Sequence, residues 1–355
     1  MTDPRIRLLV VDDSNFVRIA LRKMLEPASD IEIVGEARNG AEALRLSRKL
    51  KPHVVAMDLN MPIMDGIESV QAIAAEKGPP CIMVSNETSE GAAATIRALE
   101  TGAVDFVCKN SSFITFDMAS IERQLTEKVR HWGRWRMAMT GEAVHARSPT
   151  PTVEPAAAAR FVTRGHRPDL AVVGVSTGGP VALAELLGAL GPLPCPLVVA
   201  QHMPASFTAG FAASLARSLG RPVVEGGDGA ILDPRTVTIL RGGCDWVVRR
   251  QSARQFSLHA VDPAETIYHP SADRLFRSAA EAAESPVAVV LTGMGEDGSS
   301  GASAFAERRY PVLVQDPATC AVDGMPKAAI RAGVVTEVLP VEGIARKLNA
   351  LFTLA

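Results

Sequence analysis

The chain of 355 residues contains no apolar run approaching the roughly 18 residues that a membrane-spanning helix needs. Its five cysteines, Cys81, Cys108, Cys195, Cys244 and Cys320, are scattered, odd in number and form no CxxC pair. That excludes a disulfide framework and a cysteine-rich zinc site, and it fits a reducing compartment. Excess charge is also missing: 37 Lys and Arg stand against 39 Asp and Glu, a formal net charge of −2. Nothing global draws the chain to nucleic acid or to an anionic membrane surface. In the second half, acids slightly outnumber bases, and no segment concentrates Lys and Arg as a recognition helix would. The opening MTDPRIRLLVVDD has a short apolar run broken by two acids, unlike a secretory leader, so a soluble cytoplasmic protein is expected.

What is present is a globular composition, 47% hydrophobic and 21% charged, at a length that suits two domains. From Arg5 to about residue 130, short β-rich runs (RLLVVDD, EIVGEA, HVVAMD, CIMVSN, VDFVCK) alternate with helical segments such as FVRIALRKMLEPA and AEALRLSRKL. That alternation predicts βαβ units and a parallel, doubly wound sheet. SIERQLTEKVRHWGRWRM reads as the closing helix and its extension. The stretch from 138 to 167, rich in Ala, Pro, Thr and Arg without apolar periodicity, reads as an interdomain linker. From Asp169 the alternation restarts with LAVVGVS, PLVVAQH, PVVEG, VAVVLTGM and PVLVQD. TVTILRGGCDWVVRRQSARQFSLHAV reads instead as antiparallel strands joined by tight turns. The expected domains are therefore 1–130, 131–167 (helix extension and linker) and 168–355.

Strand ends carry the first group of reactive residues. Asp12 and Asp13 end the first strand, Asp58 the third, Ser85 the fourth and Lys109 the fifth. Strand C-termini of a doubly wound sheet converge on one edge, where ligands bind. Three carboxylates there repel one another unless a cation lies between them, and a hard ion such as Mg²⁺ suits the set. A carboxylate beside Mg²⁺ and a lysine can accept a phosphoryl group. The segments VVDDS, MDLNMPIMDG, VSNETSEGA and DFVCK resemble a response-regulator receiver domain, which implies a flavodoxin-like fold over this first part. The resemblance implies Asp58 as phospho-acceptor, with Asp12, Asp13, Asp58 and the Asn60 carbonyl around Mg²⁺. It also implies Ser85, Lys109 and Phe106 as switch residues, and a histidine kinase as phosphodonor. Receivers usually have Lys-Pro where this chain has Lys109-Asn110, and a cis bond before Asn costs about 3 kcal/mol.

The second group centres on GVSTGGP, which fits G-x-S-x-G between a strand and a helix, with Gly174 and Gly178 flanking Ser176. A phosphate-binding P-loop would need GxxxxGK[ST]; this loop has no lysine. A serine nucleophile needs a base and an orienting acid. Of seven histidines, His202 ends the strand PLVVAQH, whereas His259 lies in the expected hairpin and His269 precedes Pro270. Asp297 follows another apolar strand in TGMGEDGSSG, with Glu296 expected to point elsewhere. The order Ser, His, Asp differs from that of the α/β-hydrolases.

GVSTGGP, QHMPASF, LTGMGEDG and QDPATCAVDGMPKAAI resemble the catalytic domain of the chemotaxis protein-glutamate methylesterases, the CheB family, over about residues 169–350. That implies a mostly parallel α/β catalytic domain. It also implies Ser176 as nucleophile, His202 as base, Asp297 as its partner, an oxyanion donor at the Met294 amide, and Thr177 shaping the site. Methyl-accepting chemoreceptors would be the substrates, with hydrolysis of glutamyl methyl esters, deamidation of glutamines, and no cofactor for the ester step. The chain would be a phosphorylation-activated monomer, peripheral to membrane receptors. Where the family more often reads A-P-G-x-x-H, this chain has Arg241-Gly-Gly-Cys-Asp, which points to a difference in substrate docking or in receptor choice. The rival reading is a receiver-controlled binding or sequestering protein without turnover.

Overall fold

The structure, a computed structural model, describes residues 4–86, 89–109, 118–142, 167–253, 255–263 and 268–354. The chain divides into two compact units, Met1–Thr152 and Val153–Ala355. The expected linker, Asn110 and the tip of the hairpin lie largely or wholly outside the described residues.

The first unit runs β1 (Ile6–Val11), α1 (Asn15–Leu25), β2 (Ile31–Ala37), α2 (Gly40–Leu50), β3 (Val54–Met57) and α3 (Gly66–Ala75). It continues with β4 (Cys81–Asn86), α4 (Ser89–Glu100), β5 (Asp105–Lys109) and α5 (Met118–Thr140). The sheet order is β2-β1-β3-β4-β5 and every pairing is parallel. All four residues of β3 are buried, as a strand covered on both faces requires. Local chemistry sets the helix starts. Ser14 caps α1, Asn39 caps α2, and Asp65 with Glu68 forms a reciprocal capping box on α3. Helix α5 passes through the segment read as an extension and is followed by Glu142, which bonds the buried His53 at 2.9 Å.

The second unit begins with β6 (Leu170–Val175), α6 (Gly179–Ala189), β7 (Leu197–Gln201), α7 (Ala205–Leu219), β8 (Val223–Gly226) and β9 (Val237–Leu240). A hairpin follows, β10 (Asp245–Ser252) and β11 (Gln255–Val261), then α8 (Ala272–Ala282), β12 (Pro286–Val290), α9 (Ser299–Glu307) and β13 (Val312–Gln315). The last elements are α10 (Gly324–Arg331), β14 (Glu337–Leu339) and α11 (Val341–Phe352). Seven parallel strands lie in the order β14-β13-β12-β6-β7-β9-β8, with the β10–β11 ribbon separate. The structure departs from the sequence expectation at one strand. TVTIL does not join the hairpin; it pairs in parallel with β7 and β8. All four residues of β9 are buried, so it behaves as an interior strand, and the Gly242–Gly243 turn separates it from the ribbon.

The ribbon packs Trp246, Val248, Phe256 and Leu258 against Leu275, Phe276 and Ala279 of α8. Phe276 meets Phe305 of α9 edge-on, with centroids 6.0 Å apart. Truncating such a buried phenylalanine costs about 3–5 kcal/mol. This cluster fixes α8, and the N-terminus of α8 points into the candidate site.

Candidate active site and phospho-acceptor centre

In the second unit the sheet's central strands deliver the expected residues to one edge. Ser176 follows β6, His202 follows β7 and Asp297 lies in the turn after β12. The chain reverses its strand order about β6, the place where ligands bind in open α/β sheets. Ser176 is anchored by its amide, which donates to the Thr292 carbonyl at 3.0 Å, and His202 by its amide on the Val175 carbonyl at 3.0 Å. Gly178 has φ of +77°, and a Cβ there would lie 2.4 Å from the Ala321 side chain, so only glycine suits this turn.

The His202 imidazole makes its hydrogen bond to Asp297 through Nε2, at 2.8 Å to Oδ2. Its Nδ1 is buried and has no hydrogen-bond partner among the described residues. The ring is thus oriented by the acid, with its second nitrogen available to a hydroxyl.

Asp297 sits on the N-terminus of α8. Its Oδ1 accepts from the Asp273 amide at 2.9 Å, the Gly298 amide at 3.0 Å and the Ser271 hydroxyl at 3.1 Å. Its Oδ2 accepts from the Ala272 amide at 2.6 Å as well as from His202. Burial pushes this carboxyl up, yet the bond and charge of His202 and the amides of Asp273 and Ala272 hold it below the usual value. Neighbouring Asp273 moves the other way. Burial, with the Asp297 charge adding to it, pushes Asp273 up to about 6 against the amide bonds from Gly301 and Gly298.

The other expected residues fall nearby. Thr177 is buried, and its carbonyl accepts from the Thr292 hydroxyl at 2.9 Å. Gly293, next to Met294, backs directly onto Ser176: a Cβ there would lie 2.8 Å from the Ser176 Cβ. Glu296 is exposed and pairs with Arg331, away from the cluster. His259 bonds Ser257 within the hairpin, and His269 bonds the fully buried Asp245 at 2.9 Å. Asp245 is the residue of the departing Arg241-Gly-Gly-Cys-Asp segment; it also accepts from the Ser271 amide at 2.8 Å and pairs with Arg274.

Three supporting residues escaped the sequence reading. The buried Gln201 amide donates to the carbonyls of both Ser176, at 3.0 Å, and His202, at 3.1 Å. Thr292 ties the Thr177 carbonyl to the Val322 carbonyl. Ser271 caps α8 and reaches Asp297. Gln201 lies inside the QHMPASF motif and Thr292 inside LTGMGEDG, so their signal was present; Ser271 carries none.

In the first unit, Asp12, Asp13 and Asp58 bring carboxylate oxygens within 4.8 Å of one another. The Lys109 ammonium lies 2.6 Å from Asp12 and 2.7 Å from Asp58. Burial pushes the Asp58 carboxyl up; Lys109 opposes this and the Asp12 charge adds to it. Gly66 approaches so closely that a Cβ would lie 2.2 Å from the Asp58 carbonyl. Asn60 is exposed two residues beyond. The Ser85 hydroxyl bonds Thr95 of α4 at 2.7 Å, and the buried Phe106 lies under the Lys128 ammonium at 5.3 Å. An all-oxygen donor set with one exposed member, Asp13, fits a hard, partly hydrated divalent ion such as Mg²⁺. No helix among the described residues is long and apolar enough to cross a membrane.

Two strand-end sites, one acidic with a lysine and one of Ser, His and Asp, define a receiver followed by a serine-centred α/β domain. Comparison with known proteins agrees. Residues 171–348 match the CheB methylesterase family and residues 8–117 the response regulator receiver domain. A protein-glutamate methylesterase/protein-glutamine glutaminase 1 of Oleidesulfovibrio alaskensis is 39% identical, covering 98% of this chain and 100% of that one. A protein of the corresponding name from a Nocardioides species is 43% identical over 95% of this chain and 93% of its own. The crystal structure of the Thermotoga maritima CheB methylesterase catalytic domain covers 52% of this chain and all of that chain, at 35% identity and a TM-score of 0.50. The chain belongs to the CheB methylesterase family and carries a response-regulator receiver as its first domain.

Proposed function

We propose that the chain is a phosphorylation-activated serine esterase that hydrolyses glutamyl γ-methyl esters, and the matching glutamine amides, on cytoplasmic parts of methyl-accepting chemoreceptors. The Ser176 hydroxyl attacks the ester carbonyl and passes its proton to Nδ1 of His202. The resulting oxyanion is held by main-chain donors, the Met294 amide among them, with Thr177 shaping that wall. His202 returns the proton to the departing methoxy oxygen, so methanol leaves and an acyl-enzyme remains. Water, deprotonated by His202, then attacks the acyl carbon; glutamate is released and Ser176 regains its proton. Asp297 keeps Nε2 protonated and stabilises the imidazolium.

The observation that carries this reading is the His202 ring itself: Nε2 bonded to a carboxylate with four further donors, and Nδ1 buried with no partner among the described residues. A purely sequestering protein has no need of such an arrangement. Methanol release from methylated receptor membranes tests it. Ser176→Ala is expected to abolish turnover, and undiminished release would overturn the reading.

In the receiver (1–130), Asp58 accepts a phosphoryl group from a histidine kinase, and this raises turnover in the catalytic domain (168–355). Asp12, Asp13, Asp58 and the Asn60 carbonyl would hold Mg²⁺, which supplies charge neutralisation during phosphoryl transfer. Lys109 holds the acceptor carboxylate, and Ser85 and Phe106 shift as the receiver changes state. The ester step uses only side chains and water, and the protein acts as a monomer in the cytoplasm.

A further inference from the structure

One face of the His202 imidazole is covered by a side chain that none of the motifs contains. The Tyr268 ring lies parallel to it, with 5° between the planes and 5.2 Å between the centroids. At that separation two parallel rings are offset-stacked. The Tyr268 hydroxyl also approaches the Met294 sulfur at 3.9 Å.

The segment that presents Tyr268 is fastened at several points. The His269 carbonyl accepts from the Met203 amide at 3.3 Å, so this segment is tied to the residue after His202. The His269 ring and the Ser271 amide both bond the buried Asp245. The Ser271 hydroxyl and the Ala272 amide bond Asp297. Tyr268 therefore meets a base whose acid is held by the same short stretch of chain.

We propose that Tyr268 is a positioning residue for acyl transfer, its ring fixing the plane of His202 and stabilising the imidazolium formed when Ser176 gives up its proton. The proposal rests on the reading of His202 as the base. An imidazole held at Cβ and by one bond at Nε2 can still rock, and the Nδ1 lone pair lies in the ring plane. A flat wall on one face limits that rocking. An aromatic face also favours a cation over a neutral ring, so the contact strengthens as the reaction proceeds. The phenol, resting on Met294, steadies the loop whose amide faces the oxyanion.

The full-length chain is assayed for methanol release from methylated receptor membranes as Tyr268→Phe and Tyr268→Leu, with kcat and KM separated and the unfolding midpoint measured. Tyr268→Leu keeps bulk without a ring. Its kcat is expected to fall about tenfold, in the range of a desolvated cation–ring contact, with KM and the midpoint little changed. Tyr268→Phe keeps the stack and should lose no more than about threefold. Wild-type kcat in Tyr268→Leu would reduce the side chain to a space-filler and overturn the proposal, as would equal losses in both variants. Should leucine lower the midpoint, Tyr268→His and Tyr268→Asn replace the pair: the flat ring must retain the higher kcat, and the reverse order overturns the proposal. His202→Gln is run alongside. If it retains turnover, the base assignment itself fails; if it is inactive while Tyr268→Leu is normal, only the role of Tyr268 fails.

Discussion

Asp58, buried, and Asp297, half-buried, are both carboxylates carried beyond strand ends of parallel sheets, yet their surroundings treat them oppositely. Asp58 lies beside Asp12 and Asp13, and one ammonium, Lys109, answers for two of the three acids. Its carboxyl is held above the ordinary value. Asp297 has the imidazole and four other donors to itself, three of them amides at or beside a helix start, and is held below. The lesson concerns how a buried charge is compensated. Directed amide dipoles satisfy an anion completely and take it out of reach of further chemistry. A shared cation leaves oxygen lone pairs under-compensated, which suits the proposed role of Asp58 in holding a metal ion and attacking phosphorus.

The largest expected effect that tests this contrast is on turnover. Asp297→Asn should keep the fold and lower kcat by about 10³–10⁴-fold, since an amide no longer fixes the imidazole tautomer. Near-normal methanol release from that variant would break the comparison on the catalytic side. On the receiver side, Asp58→Asn should remove all stimulation by acetyl phosphate and Mg²⁺ while leaving basal turnover alone. Stimulation that survives the substitution would place the acceptor elsewhere.

Smaller effects sharpen the contrast. Ser271→Ala removes the α8 cap and one donor to Asp297. A loss of about 1 kcal/mol in unfolding free energy is expected, together with a several-fold fall in kcat. The folded-state pKa of Asp297 lies below its ordinary 3.8, so the stabilisation it provides is present above that value and disappears as pH falls through the folded one. The stability gap between wild type and Asp297→Asn, read by urea unfolding, should therefore narrow from neutral pH to about pH 3. Asp58 carries the opposite sign. Its raised pKa means that the ionised form weakens the fold at neutral pH, and Asp58→Asn should raise the receiver's melting temperature by about 1–3 °C.

Much of this was legible in the sequence because strand ends announce themselves. An apolar run that stops at Asp58, Ser176 or His202 fixes both the element and the edge on which the side chain appears. TVTIL misled because a short alternating run beside Gly-Gly fits a ribbon as well as a buried strand, and only its burial on both faces separates the two. The three-residue β14 was too short and too exposed to register. Tyr268 and Ser271 were invisible for a different reason. Their partners lie far along the chain, and no local pattern marks a ring that stacks on a distant imidazole. The role of Asp245 in the departing segment likewise made sense only once His269 and Arg274 were seen around it.

Helix α8 has an evolutionary consequence. Its first turn receives Asp297 directly, the Ser271 amide just before it receives Asp245 of the ribbon, and its apolar face carries Trp246 and Phe256. Drift in the ribbon, which contributes no reactive group, would thus be scored in a selection for turnover as if it had struck the reaction centre. The ribbon is expected to tolerate change only in concerted sets, a strand residue together with the segment that enters α8, so the sequence from Asp245 to Arg274 would vary as one heritable block.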